Sequence, residues 1–417
     1  METLDKLIIN GNKPLFGEVN ISGAKNAALP LMTISLLIEK GFELNNVPDL
    51  IDTQLMNKMI NELGIKSCNK LGKIQFHGKA QKIEPSENLV KKMRASILIL
   101  SPLLQSKKIA RVPLPGGCAI GSRPIDIHLE VIKKLGATVE FKDNFLEARL
   151  PKMNFFGNNI KFPIVSVGAT ECAILAAVLA KGKTTLSNAA KEPEIVDLGN
   201  CLIKAGACIN GLGESEITIN GVDKLNPISY SVIADRIEAG SFAIAAAITK
   251  GNVNLKNVKQ NDLEAFLTKL KDTGIKINRS NNEIEVLSND NFRAVNISTE
   301  PHPGFPTDLQ AQFMSLMCLA SGKSVIQENI FENRFQHIPE LKKMGANIIT
   351  NNNKAFIEGK KYLFPAKVKA TDLRASMCLI LACLATKGKS EVFELEHLKR
   401  GYEDIENKLS KIGAEIN

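Results

Sequence analysis

ELGI at 62–65 is the first of six near-copies of one phrase: KLGA follows at 134–137, KAGA at 204–207, DTGI at 272–275, KMGA at 343–346 and KIGA at 411–414. The central glycines, Gly64, Gly136, Gly206, Gly274, Gly345 and Gly413, are spaced by 72, 70, 68, 71 and 68 residues. A fixed period marks internal duplication, and this unit is longer than that of a solenoid. Each glycine closes an amphipathic helix. Leu55, Met59 and Leu63 share a face before Gly64. Leu263, Phe266, Leu267 and Leu270 do so before Gly274, and Ile405, Leu409 and Ile412 before Gly413. Spacing by three and four is the helical period, and glycine just past it suits a left-handed C-cap. β-like runs follow, as at 137–141 and 346–349.

A second helix type alternates with the first. GATECAILAAVLAKG (168–182), EAGSFAIAAAITKG (238–251), LQAQFMSLMCLASG (309–322) and LRASMCLILACLATKG (373–388) are apolar on nearly every side. Helices of that kind belong inside a protein. Each ends at glycine and leads into a strand-like run, such as 184–187 or 252–255. The unit therefore reads strand, buried helix, strand, amphipathic helix, strand, strand. Six units in two groups of three predict an α/β protein: an inside-out array of two similar domains, helices buried and sheets outside. An ordinary α/β sandwich array is the plainer alternative, since periodicity does not fix packing.

The composition agrees. A chain of 417 residues exceeds the size at which one core stops growing, so two or more domains are expected. The opening METLDKLIIN carries Glu2, Asp5 and Lys6, and no secretory signal is read there. The longest apolar runs, such as 375–385, fall short of the roughly 20 residues a membrane span needs. The eight cysteines form no CxxC pair and no Cys/His cluster at metal-ligand spacing, which predicts reduced thiols in the cytoplasm and no metal site. A net charge of +9 suits anionic ligands. With no tryptophan and three tyrosines, a stacking platform for single-stranded nucleic acid is poorly supported.

Three clusters at unit edges carry chemistry. SGAKNAALP (22–30) sets Gly23, where backbone can approach closely, and Lys25 at a helix start; helix N-termini with a lysine attract phosphate. Alone, such a lysine is more often simply exposed. VPLPGGCAIGSRPID (112–126) surrounds Cys118 with prolines and glycines, followed by Arg123 and Pro124. Its length is that of a lid or binding loop. A cation beside a loop cysteine favours the reactive thiolate, though an inert thiol is an equal reading. Cys172, Cys318, Cys378 and Cys383 sit in apolar helices and read as packing residues. EPHPGFPTDLQAQF (300–313) holds Asp308 at a helix mouth, where it or Thr307 is an N-cap or Asp308 a general base. Arg94, Arg334, Arg374 and Arg400 lie at helix starts or approaches. Singly each reads as a surface charge; together they suggest a pocket for a multiply charged anion, which the guanidinium fork suits.

SGAKNAALP, MRAS, GGCAIGSRPIDIH, SVGATE, ADRIEAGSF, PHPGFPTD, ENRFQHIPEL, ATDLRAS and RGYEDIE follow one another from near the first residue to near the last. In that order they resemble the enolpyruvyl transferase family, and within it the branch whose acceptor is UDP-N-acetylglucosamine. The sister branch, which acts on shikimate 3-phosphate, would show a Lys-Ser pair where Lys25 and Asn26 stand here, and a GNAGTA-like segment, which is absent. The resemblance implies an inside-out array of two three-unit domains, one spanning 23–232 and the other joining 1–22 to 233–417, with the active site in the cleft between them. It implies phosphoenolpyruvate and UDP-N-acetylglucosamine as substrates, no metal or organic cofactor, and no nucleic-acid or membrane partner.

Residue by residue, the resemblance makes Cys118 the proton donor to C3 of phosphoenolpyruvate and Asp308 the base near the sugar 3′-hydroxyl. Lys25 and Arg123 face the phosphate. Arg334, Arg374 and Arg400 face the carboxylate or phosphate of phosphoenolpyruvate, with Lys25 and Arg400 counted among the catalytic groups. Asn26, Arg94, Arg123, Pro124, Ile125, Asp126, Ile127, Ile164, Val165, Ser166, Val167 and Ile330 are the implied UDP-sugar contacts, and Asp372 a further substrate contact. Two other functions stay open on the residues alone: the sister reaction, and a nucleic-acid-binding repeat protein, which would not need a cysteine loop and Asp308 together.

Overall fold

In the computed structural model, which describes residues 6–70, 72–114, 125–142, 144–288 and 291–417, all six cap glycines adopt positive φ, from +90° at Gly345 to +107° at Gly64. Behind five of them the chain closes with the six-to-one bond of a Schellman cap, at Gly64 through Ile65 N to Ile60 O (3.3 Å). Ala137 N donates to Ile132 O (2.9 Å), Ala207 N to Leu202 O (2.9 Å), Ala346 N to Leu341 O (3.1 Å) and Ala414 N to Leu409 O (3.0 Å). At Gly274 a Cβ would meet nothing within 4 Å, so only the backbone conformation (φ +96°) forbids a side chain. Gly274→Ala should therefore cost about 1 kcal/mol and lower the melting temperature by about 2–4 °C. An unchanged thermal melt would show that the positive φ does not demand glycine here.

The strand alternation pairs as the repeat requires. The described residues form six sheets, five of four strands and one of three. In one, Lys276–Ser280 and Glu283–Leu287 make an antiparallel hairpin after Gly274, Asn252–Lys256 pairs antiparallel to the hairpin, and Phe16–Asn20 adds parallel at the edge. Each sheet buries alternate side chains; in Asn252–Lys256, Val253 and Leu255 point inward between half-buried neighbours.

The chain divides into two compact units. Among the described residues one contains 23–114 and 125–233, the other 6–22 with 234–417. Each holds three of the sheets and one contiguous core. In the second unit the helices Arg236–Ile248, Gln310–Met317 and Leu373–Leu384 pack on one another. All residues of Arg236–Ile248 except the first are buried, and so are all eight of Gln310–Met317. Helices apolar all round are thus surrounded by helices and sheets, as their composition demands.

The N-terminal strands belong to this second unit because its last repeat has a single strand, Glu415–Ile416, after Gly413. Lys6–Gly11 takes the place of the missing hairpin strand, antiparallel to both Gly388–Phe393 and Glu415–Ile416. Just before the chain leaves the unit, Ser22 N donates to Glu238 (2.7 Å), a buried carboxylate that also accepts from Lys408 Nζ (2.5 Å). Burial pushes Glu238 up to about 7 despite the lysine. Ser22 O accepts from Asp235 N (2.8 Å), and Asp235 caps the Arg236–Ile248 helix through Ile237 N and Glu238 N.

Candidate active site

The site in the second unit is built around Asp308. The proline-rich segment before it is anchored by Phe305, whose ring meets Phe266 at 6.0 Å and Phe313 at 5.4 Å. The segment ends in a 3-10 turn, Thr307–Leu309, that runs into the buried helix Gln310–Met317. Neither Thr307 nor Asp308 caps that helix, so the N-cap reading does not hold. The Thr307 hydroxyl donates to Glu328 (2.9 Å). The Asp308 carboxylate accepts from two guanidinium groups: Oδ1 from Arg334 Nη2 at 2.5 Å and Oδ2 from Arg374 Nη2 at 3.1 Å.

Both arginines are 4% exposed. Reading them singly as surface charges is therefore wrong, and the reason is Asp308: a buried guanidinium needs a partner with matching geometry. Different elements deliver them. Arg374 sits in the first turn of Leu373–Leu384, whose N-cap Asp372 accepts from Arg374 N (2.8 Å) and Ala375 N (3.1 Å). Asp372 is thus engaged with the backbone of the helix that carries Arg374. Arg334 follows a turn held by Glu328, which accepts from Ile330 N (2.8 Å) and Phe331 N (3.1 Å). Glu328 thereby ties the turn that carries Ile330 to the one that carries Asp308. Arg400 is half-buried at the end of Leu395–Arg400, two residues before buried Tyr402. Two guanidinium groups gathered on one carboxylate put donors suited to an anion beside a group able to accept a proton.

The first unit carries the remaining described candidates. Gly23 is required for close approach, since a Cβ there would stand 1.8 Å from Asn46 O. Lys25 begins the helix Lys25–Thr33, with Asn26 next to it, and pairs with Asp52 at 3.3 Å; both side chains are nearly buried. A helix start beside a lysine is a phosphate-binding arrangement. Arg94 opens the turn Arg94–Ile99, and Asp126 opens the helix Asp126–Lys134 between half-buried Ile125 and Ile127. Ile164 is exposed; Ser166 caps the helix that Val167 begins, accepting from Ala169 N at 3.4 Å. On that helix Glu171 is buried, and burial together with Glu194 and Glu192 pushes its carboxyl well above the usual range. Cys118, Arg123 and Pro124 lie outside the described residues.

Sequence reading missed Asp52, Ser241, Gln312, Glu328 and Tyr402. Two signals were available: Gln312 stands four residues after Asp308, one helical turn on, and Tyr402 lies inside the RGYEDIE motif. Among the described residues no group of His, Cys, Asp and Glu could hold a metal, and no helix is long and apolar enough to cross a membrane.

Comparison with known proteins bears on this geometry. The family model for EPSP synthase (3-phosphoshikimate 1-carboxyvinyltransferase) matches residues 9–409. The chain is 50% identical to the UDP-N-acetylglucosamine 1-carboxyvinyltransferase of Rickettsia akari over 99% of both chains, and 49% identical to that of Geotalea daltonii with the same coverage. Among solved structures, the enolpyruvyl transferase NikO from Streptomyces tendae superposes with a TM-score of 0.89 at 22% identity, covering 99% of this chain and 98% of its own. EPSP synthase from Acinetobacter baumannii superposes with a TM-score of 0.80 at 18% identity, covering 99% of both. These two show the shared α/β fold.

Proposed function

The chain belongs to the EPSP synthase family of enolpyruvyl transferases, and from that premise we propose that it transfers enolpyruvyl from phosphoenolpyruvate to the 3′-hydroxyl of UDP-N-acetylglucosamine. Phosphate is the second product, and the reaction is the first committed step of peptidoglycan synthesis, carried out in the cytoplasm. The observation that carries the reading is the Asp308 carboxylate between two buried guanidinium groups. It supplies a proton acceptor and anion-binding donors in one place, within a chain whose curated relatives share that acceptor in their names.

The chemistry follows. Cys118 gives a proton to C3 of phosphoenolpyruvate, which leaves C2 an oxocarbenium-like electrophile. The sugar 3′-oxygen bonds to C2 while its proton passes to Asp308. The tetrahedral ketal then returns a proton from C3 to the Cys118 thiolate and expels phosphate, restoring the C2–C3 double bond. Arg334, Arg374 and Arg400 stabilise the donor's carboxylate and the departing phosphate, and Lys25 and Arg123 assist at the phosphate. Fixed charges of this kind supply most of the stabilisation in such sites. Asn26, Arg94, Arg123, Pro124, Ile125, Asp126, Ile127, Ile164, Val165, Ser166, Val167 and Ile330 are assigned to the nucleotide sugar, and Asp372 is a further substrate contact.

The family model bears the name of the sister enzyme, so the acceptor is the point to test. Phosphate release should require phosphoenolpyruvate and UDP-N-acetylglucosamine together and stop when either is omitted. Shikimate 3-phosphate should not replace the sugar nucleotide; turnover with it would overturn the assignment.

A further inference from the structure

We propose that Tyr402 is a positioning residue for Arg374: its phenolic oxygen, fixed as an acceptor by a buried hydrogen-bond chain, sets the guanidinium against Asp308 and toward the donor substrate. The inference rests on the reading of Arg374 as a ligand of phosphoenolpyruvate.

Tyr402 is 2% exposed and stands at the meeting of three elements. Its oxygen lies 3.4 Å from Arg374 Nη1, 3.0 Å from Gln312 Nε2 and 2.9 Å from Ser241 Oγ. The first two contacts can only be donated to tyrosine, since guanidinium and amide nitrogens offer hydrogens and no lone pairs. With both lone pairs of the phenol so occupied, its own hydrogen is left for Ser241. That hydroxyl can take it because its hydrogen is given to Ile237 O, at 2.8 Å. The chain therefore runs one way, from Arg374 and Gln312 to Tyr402, to Ser241, to the backbone of the central helix. Burial pushes the Tyr402 phenol above its ordinary value, so the oxygen keeps the hydrogen that it passes to Ser241.

The same contacts fix Arg374 in three directions. Nη1 meets the Tyr402 oxygen, Nη2 meets Asp308, and the guanidinium carbon lies 5.7 Å from the centre of the Tyr402 ring. Gln312 joins the two ends, because its Nε2 also donates to Asp308 O at 2.9 Å. An arginine side chain has four rotatable bonds, and an ion pair with Asp308 alone would let the fork swing about that contact. The phenol oxygen removes that freedom, which is the usual role of a group that orients a binding residue from behind.

Tyr402→Phe keeps the ring under the guanidinium and deletes only the oxygen. With the intact full-length enzyme, the KM for phosphoenolpyruvate should rise on the order of tenfold, as expected for losing a hydrogen bond to a charged group. The KM for UDP-N-acetylglucosamine should stay within about twofold, and a thermal melt checks that the variant is folded. Ser241→Ala, which removes the acceptor of the phenol hydrogen and leaves tyrosine in place, should move the same constant in the same direction by about threefold. Arg374→Lys is the reference. It keeps the charge beside Asp308 but loses the fork, and should raise the donor KM by more than either. Adding Tyr402→Phe to Arg374→Lys should then change little, because there is no fork left to position. If Arg374→Lys raises the donor KM and Tyr402→Phe does not, or if the two effects multiply, Tyr402 does not act through Arg374. If Arg374→Lys leaves the donor KM unchanged, the assignment of Arg374 fails, and this inference with it.

Discussion

Asp308→Asn should lower turnover by about a thousandfold, the middle of the range for losing a positioned proton acceptor. Asparagine keeps the size of the side chain but cannot take the proton of the sugar hydroxyl. The same change should destabilise the fold, because Arg334 and Arg374, both 4% exposed, would face each other with no carboxylate between them. Removing one partner of a buried ion pair costs roughly 3–5 kcal/mol; with the Asp308 side chain 28% exposed, about 2 kcal/mol is the better expectation here. The two effects separate experimentally. Phosphate release is measured at a temperature where circular dichroism shows the variant folded. Inorganic phosphate is then added to melts of both proteins. It should raise the melting temperature of the variant more than that of the parent, since the vacated guanidinium pair is an anion site. Full turnover in the variant would remove Asp308 from the chemistry, and an equal phosphate effect in both would show that the arginines do not depend on it.

What the sequence showed and what it hid divide along a physical line. The cap glycines were legible because a positive φ is a local demand that recurs at each helix end, whatever the helix packs against. The buried helices were legible because no solvated face interrupts their apolar residues. The pairing at Asp308 was not. Arg334 is 26 residues away, brought in by the turn that Glu328 holds, and Arg374 is 66 away, in another repeat, brought in by the packing of Gln310–Met317 against Leu373–Leu384. An arginine at a helix start looks the same in sequence whether it meets water or a carboxylate. Ser241 and Gln312 were hidden for the opposite reason. Within apolar helices a lone hydroxyl or amide passes for tolerated polarity until its partner, Tyr402, is placed.

The last test concerns Cys118, which should be the one thiol that reacts with fosfomycin. Five other cysteines have no route to the reaction. Cys172, Cys201, Cys318, Cys378 and Cys383 are buried, and burial pushes their thiols up, to about 12 for Cys172, Cys318 and Cys383. Cys68 and Cys208 are exposed and open to a general alkylating agent. Exposure alone does not recruit an epoxide that carries a phosphonate. That group mimics the substrate phosphate and needs cations to hold it, the part assigned to Lys25 and Arg123. Cys118→Asp retains a group able to carry a proton but has no sulfur to alkylate, so it should keep some turnover and resist the drug. Cys118→Ala has neither property and should lose most activity, on the order of a hundredfold or more. Peptide mass spectrometry after exposure of the native protein reads the site directly. Drug mass on Cys68 or Cys208, or full activity in Cys118→Ala, would take the proton-donor role away from Cys118 and leave the protonation of C3 to another group.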